Sequence, residues 1–156
     1  MIRAGRAGDR PGLAAVIGSD QTFKPDEVAV ALELVDAALA GSTDYLLLVA
    51  AADGDDAAVL GYLCYGRTPM TAAAWDLYWV VVGVDARGRG LAGALVAAME
   101  DAVRGAGGGH IRVETSETEG YGAARRLYEK LGYPLAARMR DFYGPGDALL
   151  VYYKDV

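Results

Sequence analysis

The stretch YWVVVGVDARGRGLAGALV, Tyr78 to Val96, carries three signals in succession. Leu77 to Val84 is a continuous apolar run of the length of a buried strand. RGRGLA, Arg87 to Ala92, is a turn of small and basic residues. From there Leu91, Leu95, Met99 and Val103 recur at helical spacing until GAGGG at 105–109, so a helix is expected over about Leu91 to Arg104. The turn therefore places Gly88 and Gly90 at a helix N-terminus. There the first backbone N–H groups lack partners within the helix and lie at the positive end of its dipole, a setting that suits an anion. Glycines let the backbone approach such an anion closely, and Arg87 and Arg89 add charge beside it. A glycine-rich turn alone is equally consistent with a plain tight connection. Two other phosphate-binding patterns are not expected here: there is no Gly-Lys-Ser or Gly-Lys-Thr, and the turn is not read as following the first strand of a parallel βαβ unit.

Working outward, Ile2 to Ala4 reads as a short first strand, and Asp9 stands where it can cap a helix through Leu13, Val16 and Ile17. Pro25, Asp26 and Glu27 have the form of a helix start, followed by Val28, Leu32, Val35 and Leu39 at helical spacing and Gly41 as a stop. Tyr45 to Ala52 and Ala57 to Gly66 are strand-like runs joined by DGDD at 53–56, a hairpin signal. After the central strand and helix come a strand at Ile111 to Ser116, a helix at Tyr121 to Leu131 stopped by Gly132, and a closing hairpin of Leu135 to Tyr143 and Leu149 to Lys154 around GPGD. The order predicts an α/β class fold, a mixed sheet with helices on both faces.

At 156 residues the chain is about one domain's length, and with 53% hydrophobic and 23% charged residues it is composed like a globular protein. A single domain over residues 1–156 is expected. The net charge of −6 argues against a nucleic-acid partner, which would need a surplus of Lys and Arg. The charge is uneven: residues 1–86 carry 5 basic and 12 acidic side chains, residues 87–156 carry 10 and 9. That is solvated surface, or an acidic half that attracts a cation and a near-neutral half that tolerates phosphates. The lone Cys64 lies in the apolar run Leu60 to Tyr65 and reads as a buried thiol of a reducing compartment. No signal peptide or membrane span is visible, so no membrane association and a cytoplasmic location are expected.

A second stretch adds to the turn. AARRLYEKLGY, residues 123–133, puts Tyr128 on the inner face of the later helix and ends it with Gly-Tyr. Here the chain resembles the GNAT superfamily of N-acyltransferases. Its motif Arg/Gln-x-x-Gly-x-Gly/Ala is matched by Arg87, Gly90 and Ala92, and its later alanine, tyrosine and Gly-aromatic signature by Ala124, Tyr128, Gly132 and Tyr133. The element order also matches over nearly the whole chain. Two departures are visible: Tyr121 stands where the family often has a cofactor-contacting asparagine, and Val84 where it often has proline.

The resemblance implies a mostly antiparallel sheet with one splayed strand pair, acetyl-CoA as cosubstrate and no metal. The pyrophosphate would lie on Arg87, Gly88, Arg89, Gly90, Leu91 and Ala92, with pantetheine and acetyl contacts at Val82 and Val84 and a bulge at Gly83. A neutral amine would attack the thioester directly, with Tyr128 giving a proton to the thiolate and Asp76 or Glu114 taking one from the amine. Periodicity alone makes Tyr128 a core residue and the carboxylates plain surface. Phe23, Trp75, Tyr78 and Tyr143 are the candidate acceptor-binding aromatics, Trp79 is expected in the core, and His110 is expected in solvent. The acceptor would be an amine of a small molecule, amino acid or peptide. A homodimer is compatible with the apolar closing strand Leu149 to Tyr153, as is coverage of that strand within one chain. A non-catalytic acyl-CoA-binding module is the alternative, and a site for another phosphate ligand a third reading.

Overall fold

The computed structural model describes residues 1–156, apart from the side chain of Asp56 at the end of the expected DGDD turn, which lies outside the described residues. Strands β1 (Ile2–Ala4), β2 (Leu46–Ala52), β3 (Asp55–Arg67), β4 (Ala74–Val82), β5 (His110–Ser116), β6 (Leu135–Gly144) and β7 (Asp147–Asp155) form one sheet in the order β1-β2-β3-β4-β5-β7-β6. Helices α1 (Arg10–Ser19), α2 (Pro25–Leu39), α3 (Leu91–Gly105) and α4 (Gly122–Lys130) complete it. Among the described residues no helix is long and apolar enough to cross a membrane.

The helices divide between the two faces, and the core divides with them. Leu13, Val16 and Ile17 of α1 and Ala31 and Val35 of α2 pack with Val49, Tyr62, Cys64 and Val81 on one face. Leu95, Val96, Met99 and Val103 of α3 and Tyr128 of α4 pack with Leu63, Trp75, Leu77, Ile111, Val113 and Tyr152 on the other. Cys64 is fully buried, and burial pushes its thiol up to about 12.

Local chemistry sets the ends that matter for the site. Gly90, at φ +75°, is the residue before α3 and adopts a backbone that a side chain would strain. Gly132, at φ +76°, ends α4, and the Tyr133 N–H closes back on the Tyr128 carbonyl at 2.9 Å. That C-cap brings the Tyr128 and Tyr133 rings to 6.1 Å. The Gly-Tyr of the later signature is thus a helix stop that sets the tyrosine before it.

Three expectations are corrected, and one left open is decided. The third long strand begins at Ala74, not Leu77, because parallel pairing of Ala74 with His110 extends it; it ends at Val82, where Val84–Ala86 turns into a short 3-10 helix. The bulge falls at Tyr78 rather than Gly83: Cys64 pairs with Trp79 and Tyr65 with Leu77, leaving Tyr78 as the extra residue, whereas Gly83 still donates to the Leu60 carbonyl at 2.9 Å. Asp9 does not cap α1 with its side chain; it accepts from the Arg6 N–H at 2.7 Å and forms a bidentate pair with Arg3 at 2.8 Å. Of the two readings of Leu149 to Tyr153, coverage within the chain is the one found. Strand β7 lies between β5 and β6, so the chain covers it itself and β6 is the edge.

Candidate active site

Only β4 and β5 run parallel among the paired strands, with α3 between them, so, contrary to the expectation from sequence, the glycine turn does follow the first strand of a parallel βαβ unit. Every other pairing is antiparallel, so no doubly wound sheet forms, and the β4–β5 ladder stops at Leu77 and Val113. Beyond that point β4 stays on β3 as far as the pairing of Val82 with Gly61, and β5 stays on β7 as far as the pairing of Ser116 with Leu149. The extra residue at Tyr78 bends β4 where the two part. Because Gly83 donates toward β3, strand alternation turns the Val82 N–H and carbonyl to the opposite, open edge. A short extended ligand can add itself to such an edge.

The open edge runs into the glycine turn. From Gly88 to Gly93 six consecutive backbone N–H groups have no acceptor among the described residues, and the first α3 bond is Ala94 N–H to the Gly90 carbonyl. Side chains built on Gly88 or Gly90 would meet nothing within 4 Å, so the space before these donors is open. A cleft of about 260 Å³ lies there, lined by Val82, Arg87, Gly88, Gly90, Leu91 and Ala92 on one side and Leu127, Lys130 and Leu131 of α4 on the other. Donors, helix dipole, two glycines and the cations Arg87 and Lys130 suit a pyrophosphate. Arg87 Nη2 donates to Asp20 at 2.5 Å and its Nε to the Val82 carbonyl at 3.3 Å, while Arg89 reaches the Asp85 carbonyl. Val84 belongs to the short helix, and its N–H points to Ser19 Oγ at 3.4 Å, so the strand edge ends one contact earlier than expected.

Tyr128 projects from α4 into the other wall. It is 4% exposed, its ring rests on Tyr152 and Tyr133, and its hydroxyl makes no hydrogen bond among the described residues. Burial raises its phenol well above the ordinary range, so the hydroxyl stays protonated near neutral pH.

The two candidate bases differ. Asp76 is buried, with one oxygen on Arg112 Nε at 2.7 Å and the other on the Thr68 hydroxyl at 2.8 Å, so both are occupied. Glu114 follows on β5 just past the end of the β4 ladder, is exposed, and has Arg112 only at 3.9 Å. Strand alternation puts Asp76, Arg112 and Glu114 on the face covered by α1 and α2.

That face also carries the aromatics. Tyr78 packs on Tyr45, and burial with the nearby Asp76 charge pushes its phenol up to about 12. Phe23 meets Trp79 edge-on at 5.3 Å, which places Trp79 partly in the core as expected. Tyr143 is exposed, close enough to Glu114, Asp147 and Glu27 that their charges raise its phenol after burial. Trp75 is not among them. It sits before the splay, buried on the α3 face against Tyr65, because its register puts it opposite Tyr78's side of the strand. His110 is not free in solvent either: its Nδ1 lies 2.6 Å from Asp155 and its ring stacks on Tyr153.

Sequence reading missed Tyr121, Glu27, Asp20 and Ser19. The Tyr121 hydroxyl donates to Glu27 at 2.5 Å, joining the start of α4 to the start of α2. The departure from the family at Tyr121 was the available signal. Asp20 and Ser19 had none, since their partners are 67 and 65 residues away. Among the described residues no group of three His, Cys, Asp or Glu is placed to hold a metal ion.

A sheet splayed beside a helix N-terminus that offers a row of free N–H groups defines an acyl-CoA N-acyltransferase fold. The sequence model of the acetyltransferase (GNAT) family matches residues 18–133, and the chain belongs to that family. A GNAT-family protein from Desulfovibrio desulfuricans is 35% identical over 99% of this chain and 98% of its own, with a TM-score of 0.91. The Escherichia coli ribosomal-protein-S18-alanine N-acetyltransferase shares the fold at 18% identity and TM-score 0.77, covering 100% and 93% of the two chains. An aminoglycoside 6'-N-acetyltransferase complexed with coenzyme A does so at 17% identity and TM-score 0.72, covering 99% and 96%. No curated protein matches the chain.

Proposed function

We propose that residues 1–156 form a single N-acetyltransferase domain that transfers the acetyl group of acetyl-CoA to a primary amine of a small molecule, amino acid or peptide. The observation that carries this reading is the parallel ladder ending at Leu77 and Val113 directly beside six unpaired N–H groups. The edge accepts an extended arm and the turn accepts its pyrophosphate. The coenzyme A complex of the aminoglycoside enzyme of the same fold adds support. The lone buried Cys64 fits a reducing, cytoplasmic setting.

The reaction uses this chain's groups in named roles. The Val82 backbone and the Gly88 to Gly93 N–H groups hold the cosubstrate and fix its carbonyl in the splay. The amine nitrogen attacks that carbonyl, the C–S bond breaks, and the Tyr128 hydroxyl gives its proton to the leaving sulfur. The proton lost by the amine passes to Glu114, directly or through one water, because Asp76 is already held by Arg112 and Thr68. Tyr78, Phe23 and Tyr143 line the acceptor side, where Glu27, Glu114 and Asp147 favour a cationic amine. The related enzymes act on a ribosomal protein and on aminoglycosides, both amine acceptors.

Calorimetric titration with acetyl-CoA, against ATP, followed by thiol release over a panel of amines tests the proposal. Selective acetyl-CoA binding with amine-dependent thiol release is expected. Binding without release by any amine would leave an acyl-CoA-binding module, and absence of binding by folded protein would overturn the reading.

A further inference from the structure

The segment between α1 and α2 crosses the splayed strands and is fastened at both ends. On the β4 side Ser19 Oγ accepts from the Val84 N–H and Asp20 from Arg87. On the far side Thr22 lies against Gly120, where an added side-chain carbon would come within 3.1 Å of its methyl, and Glu27 accepts from Tyr121. Between them Phe23 lies on Trp79. Asp20 organises this segment, accepting from the Thr22 N–H with its carboxylate at 2.9 Å and from the Phe23 N–H with its carbonyl at 3.4 Å.

Arg87 is thus engaged twice, and Arg87 and Val82 both line the cleft in front of the glycine turn. One guanidinium nitrogen is on the Asp20 carboxylate, and another is on the Val82 carbonyl, the last acceptor on the open edge of β4. A pyrophosphate on the Gly88 to Gly93 donors brings negative charge beside Asp20 and offers Arg87 a bidentate partner. The existing pair is partly open, with Arg87 49% exposed, and such pairs are weak.

We infer that Asp20 competes with the cosubstrate's pyrophosphate for Arg87, so that binding of acetyl-CoA withdraws Arg87 from Asp20 and from the Val82 carbonyl and loosens the segment carrying Phe23. Asp20 is then a positioning residue that sets cosubstrate affinity and couples it to the acceptor side. The inference rests on the acetyl-CoA reading proposed above. It predicts that the pyrophosphate, and not the pantetheine arm, feels Asp20.

The test is calorimetric affinity for CoA and for S-acetylpantetheine, which lacks the pyrophosphate, in the wild type and in Asp20→Asn. Asparagine keeps an oxygen for the Thr22 N–H and removes the charge. Asp20→Ser, which also retains a local acceptor, guards against an effect peculiar to one variant. CoA should bind about two- to fivefold more tightly to both variants, the range a partly exposed ion pair allows, while S-acetylpantetheine affinity stays the same. Unchanged or weaker CoA binding, or equal gains for both ligands, would overturn the competition and leave the acetyl-CoA reading standing. Failure of the folded wild type to bind CoA would bring down both.

Discussion

Tyr128→Phe removes one oxygen atom from a site where its loss has no structural cost. The side chain is 4% exposed, its hydroxyl makes no hydrogen bond among the described residues, and its oxygen is not one of the fully buried unpaired atoms, so it keeps some contact with solvent and its deletion orphans nothing. The phenylalanine variant should therefore lie within about 1 kcal/mol of the wild type in stability. In a chain of this size that is a change of at most about 4 °C in Tm. Activity should move the other way. If the phenol protonates the departing thiolate, its loss should lower kcat by about 100-fold, equivalent to about 2.7 kcal/mol of barrier, with CoA affinity within about twofold. Burial holds the phenol well above the ordinary tyrosine range, so it stays protonated at neutral and mildly alkaline pH. The ratio of wild-type to variant kcat should therefore be flat from about pH 6 to pH 9. The assay is release of free CoA thiol under saturating acetyl-CoA, beside thermal melts of both proteins. A fall in kcat below about fivefold, or a loss of stability matching the loss of activity, would refute the argument.

Three further outcomes follow from the same geometry. Gly90→Ala forces a side chain onto φ +75° at the start of α3, and should cost about 1–2 kcal/mol in denaturant melts and weaken CoA binding at least tenfold in titration. Glu114→Gln should reduce kcat by about 100-fold at pH 7 and by less at higher pH, where more of the amine is already neutral, while Asp76→Asn should change Tm more than it changes the pH profile. Alkaline stability has a definite sign. Burial raises the phenols of Tyr62, Tyr65 and Tyr133 and the Cys64 thiol in the folded chain, so the unfolded chain releases those protons first. That stabilisation is complete below the unfolded values near 9 for cysteine and 10 for tyrosine and is lost as pH rises past them. Tm measured from pH 8 to pH 11 should fall steeply above about pH 9, with the first part of the fall absent in Cys64→Ala.

The element order was legible because each boundary carries local chemistry: Pro25 with Glu27, Gly41, Gly90, Gly132 and GPGD all act within a few residues of themselves. Tyr128 was placed on an inward face by spacing alone, and only the matching of two motifs gave it a role. What stayed hidden was set by distant partners. Tyr78 and Trp79 are consecutive aromatics that share a face, and in a strand apolar on both faces nothing in the sequence marks the bulge that makes this so. Trp75 reads as an acceptor-binding ring in the sequence because its pairing with Ile111 is not visible there. Asp76 looked available as a base because Arg112, its partner, is 36 residues away. Likewise a hairpin signal around GPGD gives the pairing of β6 with β7 but not which of them lies against β5.

The register explains how an ordinary sheet acquires a cleft. Strand β5 is fixed along its whole length by seven pairings to β7, from His110 with Asp155 to Ser116 with Leu149, so it cannot follow β4. Strand β4 is fixed to β3 on both sides of Tyr78 and is bent there by the additional residue. Each strand is satisfied by its outer neighbour, and the parallel ladder between them is the contact that yields. The open edge therefore costs only the few hydrogen bonds beyond Leu77 and Val113, and a ligand backbone can replace them. Deleting Tyr78 would keep Leu77 opposite Tyr65 and Trp79 opposite Cys64, so Val80 and Val82 would stay on the face of α3, but it would remove the extra residue that bends β4 away from β5. Cosubstrate affinity should then fall while the pairing of β3 with β4 is kept. The cleft depends on that one residue, whereas Tyr128 and Asp20 can be altered with the sheet intact.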